Sequence, residues 1–428
     1  MKKSYILLLF LVLFGVKLTA QEIMPISKAE VLAKVSENNT AIKISEEEFN
    51  ASKADYKQTN AVFLPNITAS HTGISTTNPL MAFGSKLNQG ILTAADFNPA
   101  LLNNPNTTQN FATIIKVEQP LINLDGFYQR KAAKSKMEAM FLQTERTQDF
   151  LVFEVEKAYM QLQLAYQGVL VLEKALETSN ANKTMADNSF KQGVLQRADV
   201  LNVEIRVTEV KNQLQTAKSN VQNASNYLSF LMNDKNDVVY KPTETLTVFD
   251  FNVDDKLISE NRADIRAMQL ALKGFEAMNK ADKMAFLPRL NAFGSYEMYD
   301  NKIFQGDASG YVIGAQLSWD IFQGSKRFGK AEFEKSKLEY NQYVSKSNLE
   351  LNKVKRQLVD AKNSLELTKL AVEQSEESLL IRKNRFKEGL EKTSDLLIAE
   401  TQFAQKQLEY YQTMYQYNFT QTYLNFLT

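Results

Sequence analysis

The stretch that decides the fold runs from Ser36 to Pro65 and reads SENNTAIKISEEEFNASKADYKQTNAVFLP. A related stretch, SENRADIRAMQLALKGFEAMNKADKMAFLP, occupies residues 259–288, and the two align without a gap at an offset of 223. A second pair of matching segments, 190–201 and 386–397, has an offset of 196. These spacings are far longer than the units of about 20 to 50 residues that indicate solenoids or propellers. We therefore predict one fold half that has been duplicated, and a symmetric assembly that forms a tube.

The first twenty residues have the pattern of a secretory signal peptide. Met1-Lys2-Lys3 supplies the basic start, residues 5–16 supply the apolar core, and Ala20 is the small residue at the cleavage site. This core is shorter than the roughly 20 apolar residues that a membrane-spanning helix needs, and no longer apolar run follows it. The sequence therefore predicts an exported protein, which would enter a membrane as β-strands if it enters one at all.

Composition excludes several classes of partner and chemistry. The 428 residues contain no Cys, so neither a disulfide nor a lipid on an N-terminal cysteine is available. Cleavage of residues 1–20 removes three lysines and no acid, which leaves 47 basic and 49 acidic residues, a net charge of −2. A chain without a basic excess is not expected to bind nucleic acid.

Each repeat is predicted to begin with a helix that a proline ends. Residues 27–30, Ser-Lys-Ala-Glu, form a capping box, and the helix after it should continue to about Phe63, before Pro65. The equivalent helix of the second repeat should run from about 255 to 286, before Pro288.

Much longer helices are predicted in the proline-free parts of the chain. Apolar residues recur there at alternating spacings of four and three, which is the pattern of coiled-coil packing. Residues 125–191 alone would form a helix roughly 100 Å long at 1.5 Å per residue. Gly193 and Gly389 follow two of these helices, so we predict two antiparallel hairpins with compact tips. On the first long helix the apolar positions are Leu151, Val155, Ala158, Leu162, Ala165, Val169, Leu172 and Leu176.

Four short segments alternate between apolar and polar residues, as strands with two different faces do. They are residues 66–72, 111–118, 290–299 and 311–320. In the last of them Tyr311 and Trp319 stand near the two ends of the apolar face, where membrane-interface aromatics are expected. The offset between repeats falls after the first strand pair, so its loop should hold about two dozen extra residues. A soluble sheet packed on helices would show the same alternation.

Four strands are too few to close a membrane barrel, because the smallest barrels have about eight. Open sheet edges are not tolerated in lipid. A membrane-embedded form must therefore share its barrel among several copies of the chain. Two, three or four copies would each satisfy this requirement.

Three motifs then carry a resemblance to a known family. They are Asn261-Arg262-Ala263-Asp264-Ile265, Phe286-Leu287-Pro288-Arg289-Leu290, and Arg385-Phe386-Lys387-Glu388-Gly389 followed by Asp395-Leu396-Leu397. In this order, and with their counterparts in the first repeat, they resemble the recurrent motifs of the TolC-like outer-membrane efflux proteins (outer-membrane factors). The resemblance covers essentially the whole mature chain.

The resemblance implies an α+β membrane protein that forms a homotrimer. Long antiparallel coiled-coil hairpins would form an α-barrel, and four β-strands per chain would contribute to a shared trimeric β-barrel. The assembly would be a passive exit duct for efflux or secretion, working with a periplasmic adaptor protein and an inner-membrane transporter. It would lie in the outer membrane of a Gram-negative bacterium, in contact with outer-membrane lipid and with a large periplasmic portion.

The predicted domain organisation follows the repeats. Residues 1–20 are the signal peptide, 21–232 the first repeat, 233–254 the connector at the equator and 255–428 the second repeat. Within the connector, residues 246–251 have β-like composition.

The hairpin tips are the first candidate site. Gly193, Val194, Leu195, Gly389 and Leu390 would present small and apolar groups that suit docking of an adaptor, an assignment that depends mainly on the resemblance. The alternative is that the glycines only allow the chain to reverse with a positive φ.

The resemblance also implies a channel constriction beside the tips. Asp199 and Asp395 follow the two glycines by six residues, where an acidic ring would favour cations, and Phe386 would be either a latch residue or part of the core. The alternative for the aspartates is a favourable charge at a helix N-terminus. Ile398 and Glu391 depart from the family pattern, so neither a second acidic ring nor the basic latch is implied.

No catalytic arrangement is available in the sequence. The single histidine, His71, lies in a predicted strand, and Gly324-Ser325-Lys326 lacks the spacing of a phosphate-binding loop. We predict no enzyme, no cofactor and no metal. The alternative function is a periplasmic adaptor or coiled-coil scaffold without a barrel, and a secreted enzyme is disfavoured. Aromatic residues crowd the C-terminal segment, which is expected to pack the last helix: Tyr410, Tyr411, Tyr415, Tyr417, Phe419, Tyr423 and Phe426.

Overall fold

A computed structural model describes residues 22–235, 238–249, 257–322 and 330–428. The predicted signal peptide and the Gly324-Ser325-Lys326 segment lie outside the described residues. The chain divides into two compact units. Unit 1 takes its described residues from Met1–Ser45, Thr144–Arg262 and Val344–Thr428, and unit 2 consists of Glu46–Gln143 and Ala263–Tyr343. Each unit therefore combines parts of both predicted repeats, and the repeat boundaries remain a prediction.

The elements follow one another in an order that is nearly the same in the two halves of the chain. The first half contains β1 Glu22–Ile26, α1 Lys28–Asn38, α2 Thr40–Gln58, β2 Asn66–Thr76, α3 Pro79–Asn88, α4 Pro99–Asn103, β3 Thr108–Ile122, α5 Leu124–Lys191, α6 Arg197–Leu231 and β4 Val238–Pro242. The second half contains α7 Ala263–Met284, β5 Arg289–Asp300, β6 Ala308–Ser318, α8 Lys330–Lys387 and α9 Thr393–Leu427. None of the described helices combines the length and apolarity that crossing a membrane would need.

The first predicted helix begins as expected but is interrupted. The capping box is present, because the Ser27 backbone N–H donates to Glu30 Oε2 (2.8 Å) and the Glu30 N–H donates to Ser27 Oγ (3.2 Å). Asn39 then adopts extended backbone angles and ends α1. Its side chain donates to the Leu231 carbonyl (2.7 Å) and accepts from the Ala41 N–H (2.8 Å). The prediction of one continuous helix is wrong at this residue, because the asparagine caps α2 and binds the end of α6 instead.

The long helices agree with the predicted spacing of apolar residues. α5 has 68 residues and α8 has 58, and the predicted apolar positions point into the packed interior of unit 1. On α5, Val155 and Leu162 are fully buried, as is Leu228 on α6. Burying each such side chain stabilises the fold by about 1.5–3 kcal/mol. The corresponding buried positions of α8 are Leu351, Val354, Leu358, Ala361 and Leu365.

The connector contains a strand, but not where the composition predicted one. β4 pairs in parallel with β1, from Glu22 opposite Val238 to Ile26 opposite Pro242. Residues 246–249 are irregular, so the prediction of β-structure there is wrong, and 250–251 lie outside the described residues. The reason is packing, because the Leu246 side chain is buried against the helices of unit 1 instead of pairing in a sheet.

The C-terminal aromatic cluster packs the last helix, as predicted. Phe153 of α5 lies 5.1 Å from Phe426, 5.4 Å from Tyr423 and 5.9 Å from Phe419, measured between ring centroids. The guanidinium of Arg146 stands 3.7 Å above the Phe426 ring, a favourable cation–π distance. α9 is thereby fixed along α5 within unit 1.

Unit 2 contains a four-stranded antiparallel sheet in the order β2-β3-β5-β6. The loop between β2 and β3 spans residues 77–107, against 301–307 between β5 and β6, which confirms the predicted excess of about two dozen residues. The longer loop folds on itself, because Lys86 Nζ binds Asp96 Oδ1 at 2.7 Å, and it is attached to β3, because Gln89 Nε2 donates to the Gln109 carbonyl at 2.8 Å.

The two faces of this sheet differ in polarity. Ile67 of β2 lies opposite Val117 of β3, which lies opposite Gly294 of β5 and, beyond it, Ile313 of β6. The side chain of Ile313 is 79% exposed. The next row on the same face consists of Ala69, Ile115, Tyr296 and Tyr311. Because residues directly opposite each other in an antiparallel sheet share a face, these two rows form one apolar surface.

The opposite face carries hydroxyl and charged groups. Thr68 lies opposite Lys116, and Lys116 lies opposite Ser295. Lys116 forms an ion pair with Glu118, and Ser295 Oγ donates to Glu297 (2.9 Å) on the same face. The sheet thus has one continuous apolar face and one mainly polar face.

Candidate functional site

The first hairpin tip is a helix ending followed by a tight reversal. Gly193 has a φ of +75°, and its N–H donates to the Phe190 carbonyl at 2.9 Å. The Val194 N–H donates to the Ser189 carbonyl at 2.9 Å. These two hydrogen bonds form the Schellman motif, which satisfies the last carbonyls of a helix and requires a left-handed residue, usually glycine.

The second tip repeats this geometry. Gly389 has a φ of +73°, its N–H donates to the Phe386 carbonyl at 3.1 Å, and the Leu390 N–H donates to the Arg385 carbonyl at 2.9 Å. A β-carbon at either glycine would contact nothing within 4 Å, so the backbone angle alone requires the glycine. The prediction that these residues reverse the chain is therefore confirmed.

The turn does not account for the apolar side chains that follow the glycines. Val194 is 69% exposed and Leu390 is 63% exposed, whereas Leu195 is half-buried. The Schellman motif uses only the backbone of Val194 and Leu390. Two exposed apolar side chains at the ends of two hairpins are available for a partner, and their docking role stays a prediction.

Asp199 stabilises the start of the returning helix in the first hairpin. Its Oδ2 accepts a hydrogen bond from the Gln196 backbone N–H at 3.2 Å, one residue before α6 begins. A carboxylate that caps a helix N-terminus in this way is stabilising. The structure therefore shows Asp199 as a favourable charge at a helix N-terminus, which was the alternative interpretation. Its role in a constriction stays a prediction.

Asp395 occupies the matching position of the second hairpin, with a weaker hydrogen bond to its carboxylate. Its carboxylate accepts a long hydrogen bond of 3.5 Å from Ser394 Oγ. The side chain is half-buried in the first turn of α9. The Asp395 carboxylate is therefore held less tightly by hydrogen bonding than the Asp199 carboxylate and can bind a passing cation more readily. Of the two, Asp395 is the stronger candidate for a constriction.

A charged clamp holds the second tip and has no equivalent in the first. Glu391 accepts from Arg382 Nη1 (2.9 Å) and from Arg385 Nε (2.8 Å), and its side chain is only 11% exposed. Leu195 occupies the corresponding place in the first hairpin. The sequence had identified Glu391 only as a departure from the family pattern, and the pairing with two arginines of α8 was missed.

Phe386 lies at the end of α8, half-buried, with its carbonyl bound by Gly389. Its role as a latch or as core stays open. The structure therefore brings Phe386, Gly389, Leu390 and Asp395 together at one tip, and Gly193, Val194, Leu195 and Asp199 together at the other.

The membrane-interface candidates belong to unit 2. Tyr311 is 75% exposed near the start of β6, and Trp319 follows the last residue of this strand. The Trp319 indole N–H donates to the Phe286 carbonyl at 2.9 Å. Eight residues of extended chain separate the two rings by roughly 26 Å at about 3.3 Å per residue. The apolar band of an outer-membrane strand is about 25 Å tall.

His71, the single histidine, has contacts within unit 2 that explain its position. His71 Nδ1 lies 2.8 Å from Thr113 Oγ1, and its ring stacks on Phe304 at 4.5 Å. Across the described ranges there is no cluster of three or more His, Asp or Glu side chains able to hold a metal ion.

Comparisons with known proteins agree with this architecture. The chain matches the family described as outer membrane efflux protein over residues 31–234 and 256–428. Among curated protein sequences none matches significantly. The outer membrane channel CmeC of Campylobacter jejuni superposes with a TM-score of 0.80 at 18% identity, covering 94% of this chain and 85% of that one. The outer membrane protein VceC of Vibrio cholerae gives 0.80 at 14% identity, with 94% and 95% covered.

A membrane protein from Pseudomonas aeruginosa gives a TM-score of 0.81 at 16% identity, covering 94% of this chain and 93% of that one. At these identities the solved structures establish a shared fold. The family match spans nearly all of the chain beyond its N-terminal segment. The chain therefore belongs to the outer membrane efflux protein family, whose members are channels and not enzymes.

Proposed function

We propose that this outer-membrane efflux channel works as a homotrimer in which three sheets close into one β-barrel. The observation that carries the proposal is the four-stranded sheet of unit 2, with its continuous apolar face and two edge strands. Each edge strand, β2 and β6, has 11 residues. Backbone groups along such edges must find partners in lipid, and the edge of the next subunit supplies them.

The polarity of the sheet supports this arrangement. The apolar rows that begin at Ile67 and Ala69 would face lipid, with Tyr311 and Trp319 at the two interfaces. The opposite face, with Lys116 and Ser295, would line a water-filled lumen. An outward apolar face and a polar interior are the properties of channel-forming barrels.

The long helical hairpins would form the periplasmic part of the duct. α5 is roughly 100 Å long at 1.5 Å per residue, which suits a tube of helices on the periplasmic side. The nearly repeated order of elements supports an origin by internal duplication, in which two hairpins per chain give six hairpins around the tube.

The tips would meet the partners that supply energy. Val194 and Leu390 are exposed apolar groups at rigid turns, suited to burial against a periplasmic adaptor that links the duct to an inner-membrane transporter. Asp395, with Asp199 as a weaker contributor, would form the acidic constriction behind these tips. Passage through the duct itself would be passive.

Cell fractionation with unboiled gels tests this function. We expect the protein to pellet with outer membranes and to migrate as a compact oligomer until it is boiled, because a closed barrel resists detergent. A periplasmic adaptor or scaffold without a barrel would instead be released with the periplasmic fraction and would migrate as a monomer. That outcome would contradict a shared β-barrel and would support the alternative function, a periplasmic adaptor or scaffold.

A further inference from the structure

A polar cluster lies buried between the two hairpins, about two to three helical turns behind their tips. Asn182 of α5, Arg206 of α6 and Glu400 of α9 are between 2% and 6% exposed. Glu400 follows the first residue of α9 by seven positions, roughly 10 Å at 1.5 Å per residue. Small and apolar side chains that are also buried occur within four residues of the cluster members along the same helices: Ala186, Val203, Leu396 and Ala399.

The cluster joins the hairpins but is not fully hydrogen-bonded. Asn182 Nδ2 donates to Glu400 Oε1, a contact between the first hairpin and the second. Three other polar atoms have no hydrogen-bond partner among the described residues: Asn182 Oδ1, Arg206 Nε and Glu400 Oε2. Arg206 Nη1 reaches Glu209 at 3.5 Å on the helix surface. Incompletely satisfied buried polar groups are costly, which makes this junction sensitive to charge.

The charge of Glu400 depends on pH in the neutral range. Burial raises the pKa of the Glu400 carboxyl to about 7, although Arg206, Lys383 and the Asn182 hydrogen bond act in the opposite direction. The charged groups that act on Glu400 are Arg206 of α6 and Lys383 of α8, while Asn182 of α5 is neutral. Arg206 also pairs with Glu209, the next residue of α5 is Lys183, which pairs with Glu204 of α6, and Asp395 is the nearest acid earlier on α9. Because the folded-state pKa is raised, packing around Glu400 is most stable below about pH 4.5 and weakens as the pH rises through about 7.

We propose that Glu400 is a positioning residue that sets the separation of the two hairpins according to its protonation. When it is protonated, α9 packs closely on the first hairpin and holds its N-terminal turn, including Asp395, in the narrow arrangement. When it is ionised, the buried charge weakens that packing and the tips separate. The inference rests on the proposed function, in which Asp395 lines the constriction of the duct.

Conductance measured against pH in planar bilayers tests the effect on the channel. Wild-type conductance is expected to rise about twofold or more over about two pH units centred near 7, since one titrating group controls the two states. The Glu400→Gln channel should lack this rise and keep the low-pH value. Glu388→Gln, a change at an exposed acid of the same tip, should retain the wild-type profile. A wild-type profile in Glu400→Gln would overturn the inference.

Distance measurement separates this inference from the proposed constriction. Because the chain has no Cys, spin labels at Asn202→Cys and Glu388→Cys, both exposed, would mark the two hairpins specifically. Labelled chains are diluted with unlabelled chains, and the label distance is measured by pulsed electron resonance at about pH 6 and pH 8. The distance should lengthen at the higher pH in wild type and not in Glu400→Gln.

The combined outcomes are decisive. A pH-dependent distance without a change in conductance would support the role of Glu400 and reject Asp395 as the constriction. A distance that does not change with pH in folded oligomers would overturn the role of Glu400. If Glu400→Gln does not assemble, Arg206→Met provides the second test. Removing this nearby positive charge should move the midpoint of the distance change to higher pH, and an unmoved midpoint counts against the inference.

Discussion

Exchanging Asp395 for alanine is expected to lower the preference of the channel for cations about tenfold at low salt. Each carboxylate contributes about 0.5 kcal/mol to a cation at a distance of about 8 Å in water, so three in a ring contribute about 1.5 kcal/mol. A free-energy difference of about 1.4 kcal/mol corresponds to a factor of ten. The measurement is the reversal potential across a salt gradient at about 0.01 M, where the Debye length is about 30 Å and screening is weak.

Two further substitutions at Asp395 test whether the change in cation preference comes from the loss of its negative charge. Asp395→Glu keeps the charge and should keep the preference, whereas Asp395→Asn should behave like the alanine variant. The alanine variant should retain most of its stability, because within the described part of the chain the Asp395 carboxylate accepts one hydrogen bond, at 3.5 Å from Ser394 Oγ. Unchanged selectivity in Asp395→Ala, with intact oligomers, would remove this residue from the constriction.

Placing aspartate at both tips, in the double variant Val194→Asp with Leu390→Asp, is expected to abolish adaptor docking. The two side chains are among the exposed apolar groups and would be buried by a partner. Burying each stabilises a complex by about 1.5–3 kcal/mol, so their joint loss weakens binding by a factor of roughly one hundred or more. The folded hairpins should survive, because the Schellman motifs use only the backbone at these positions.

Cross-linking in the native host measures this loss. A cysteine at the exposed Arg197 is the single thiol of the channel, and a bifunctional reagent captures the neighbour, which mass spectrometry identifies. The captured product should disappear in the double aspartate variant. The control is Gln192→Asp with Ser394→Asp, which adds the same charges at exposed polar positions of the tips. Equal capture in both double variants would contradict docking through the apolar pair.

The helical part of the fold could be predicted from the sequence because its signals are local. Alternating spacings of four and three predicted which side chains of α5 are buried, for example Val155 and Leu162. The glycines at the tips were identified because a left-handed residue is needed where a helix ends and the chain reverses. The strand positions followed from alternation, with bounds that differ by a few residues.

The features that the sequence did not predict depend on interactions between residues far apart in the chain. Asn39 interrupts a helix because its side chain binds Leu231, a residue that no local pattern connects with it. β1 and β4 are short and pair in parallel across more than two hundred residues, so neither showed a clear signal alone. Such pairings become visible only when the chain is folded.

The polar groups near the tips have no clear signal in the sequence. Asn182, Arg206 and Glu400 are buried, but the alternating spacing of apolar residues does not place them in the interior, and their partners lie on other helices or far along the chain. Glu391 was noticed, but its partners Arg382 and Arg385 lie on the preceding helix and could not be assigned from spacing. The sequence therefore predicted the positions of the tips, but not the ion pairs and buried polar contacts beside them.

Single-channel recording on the purified mature protein shows whether sheets from several copies form one continuous wall around a pore in lipid. We expect detergent-solubilised oligomers to insert into planar bilayers and to produce uniform, long-lived conductance steps. A protein that stays monomeric in water without detergent and yields no such steps would contradict this expectation.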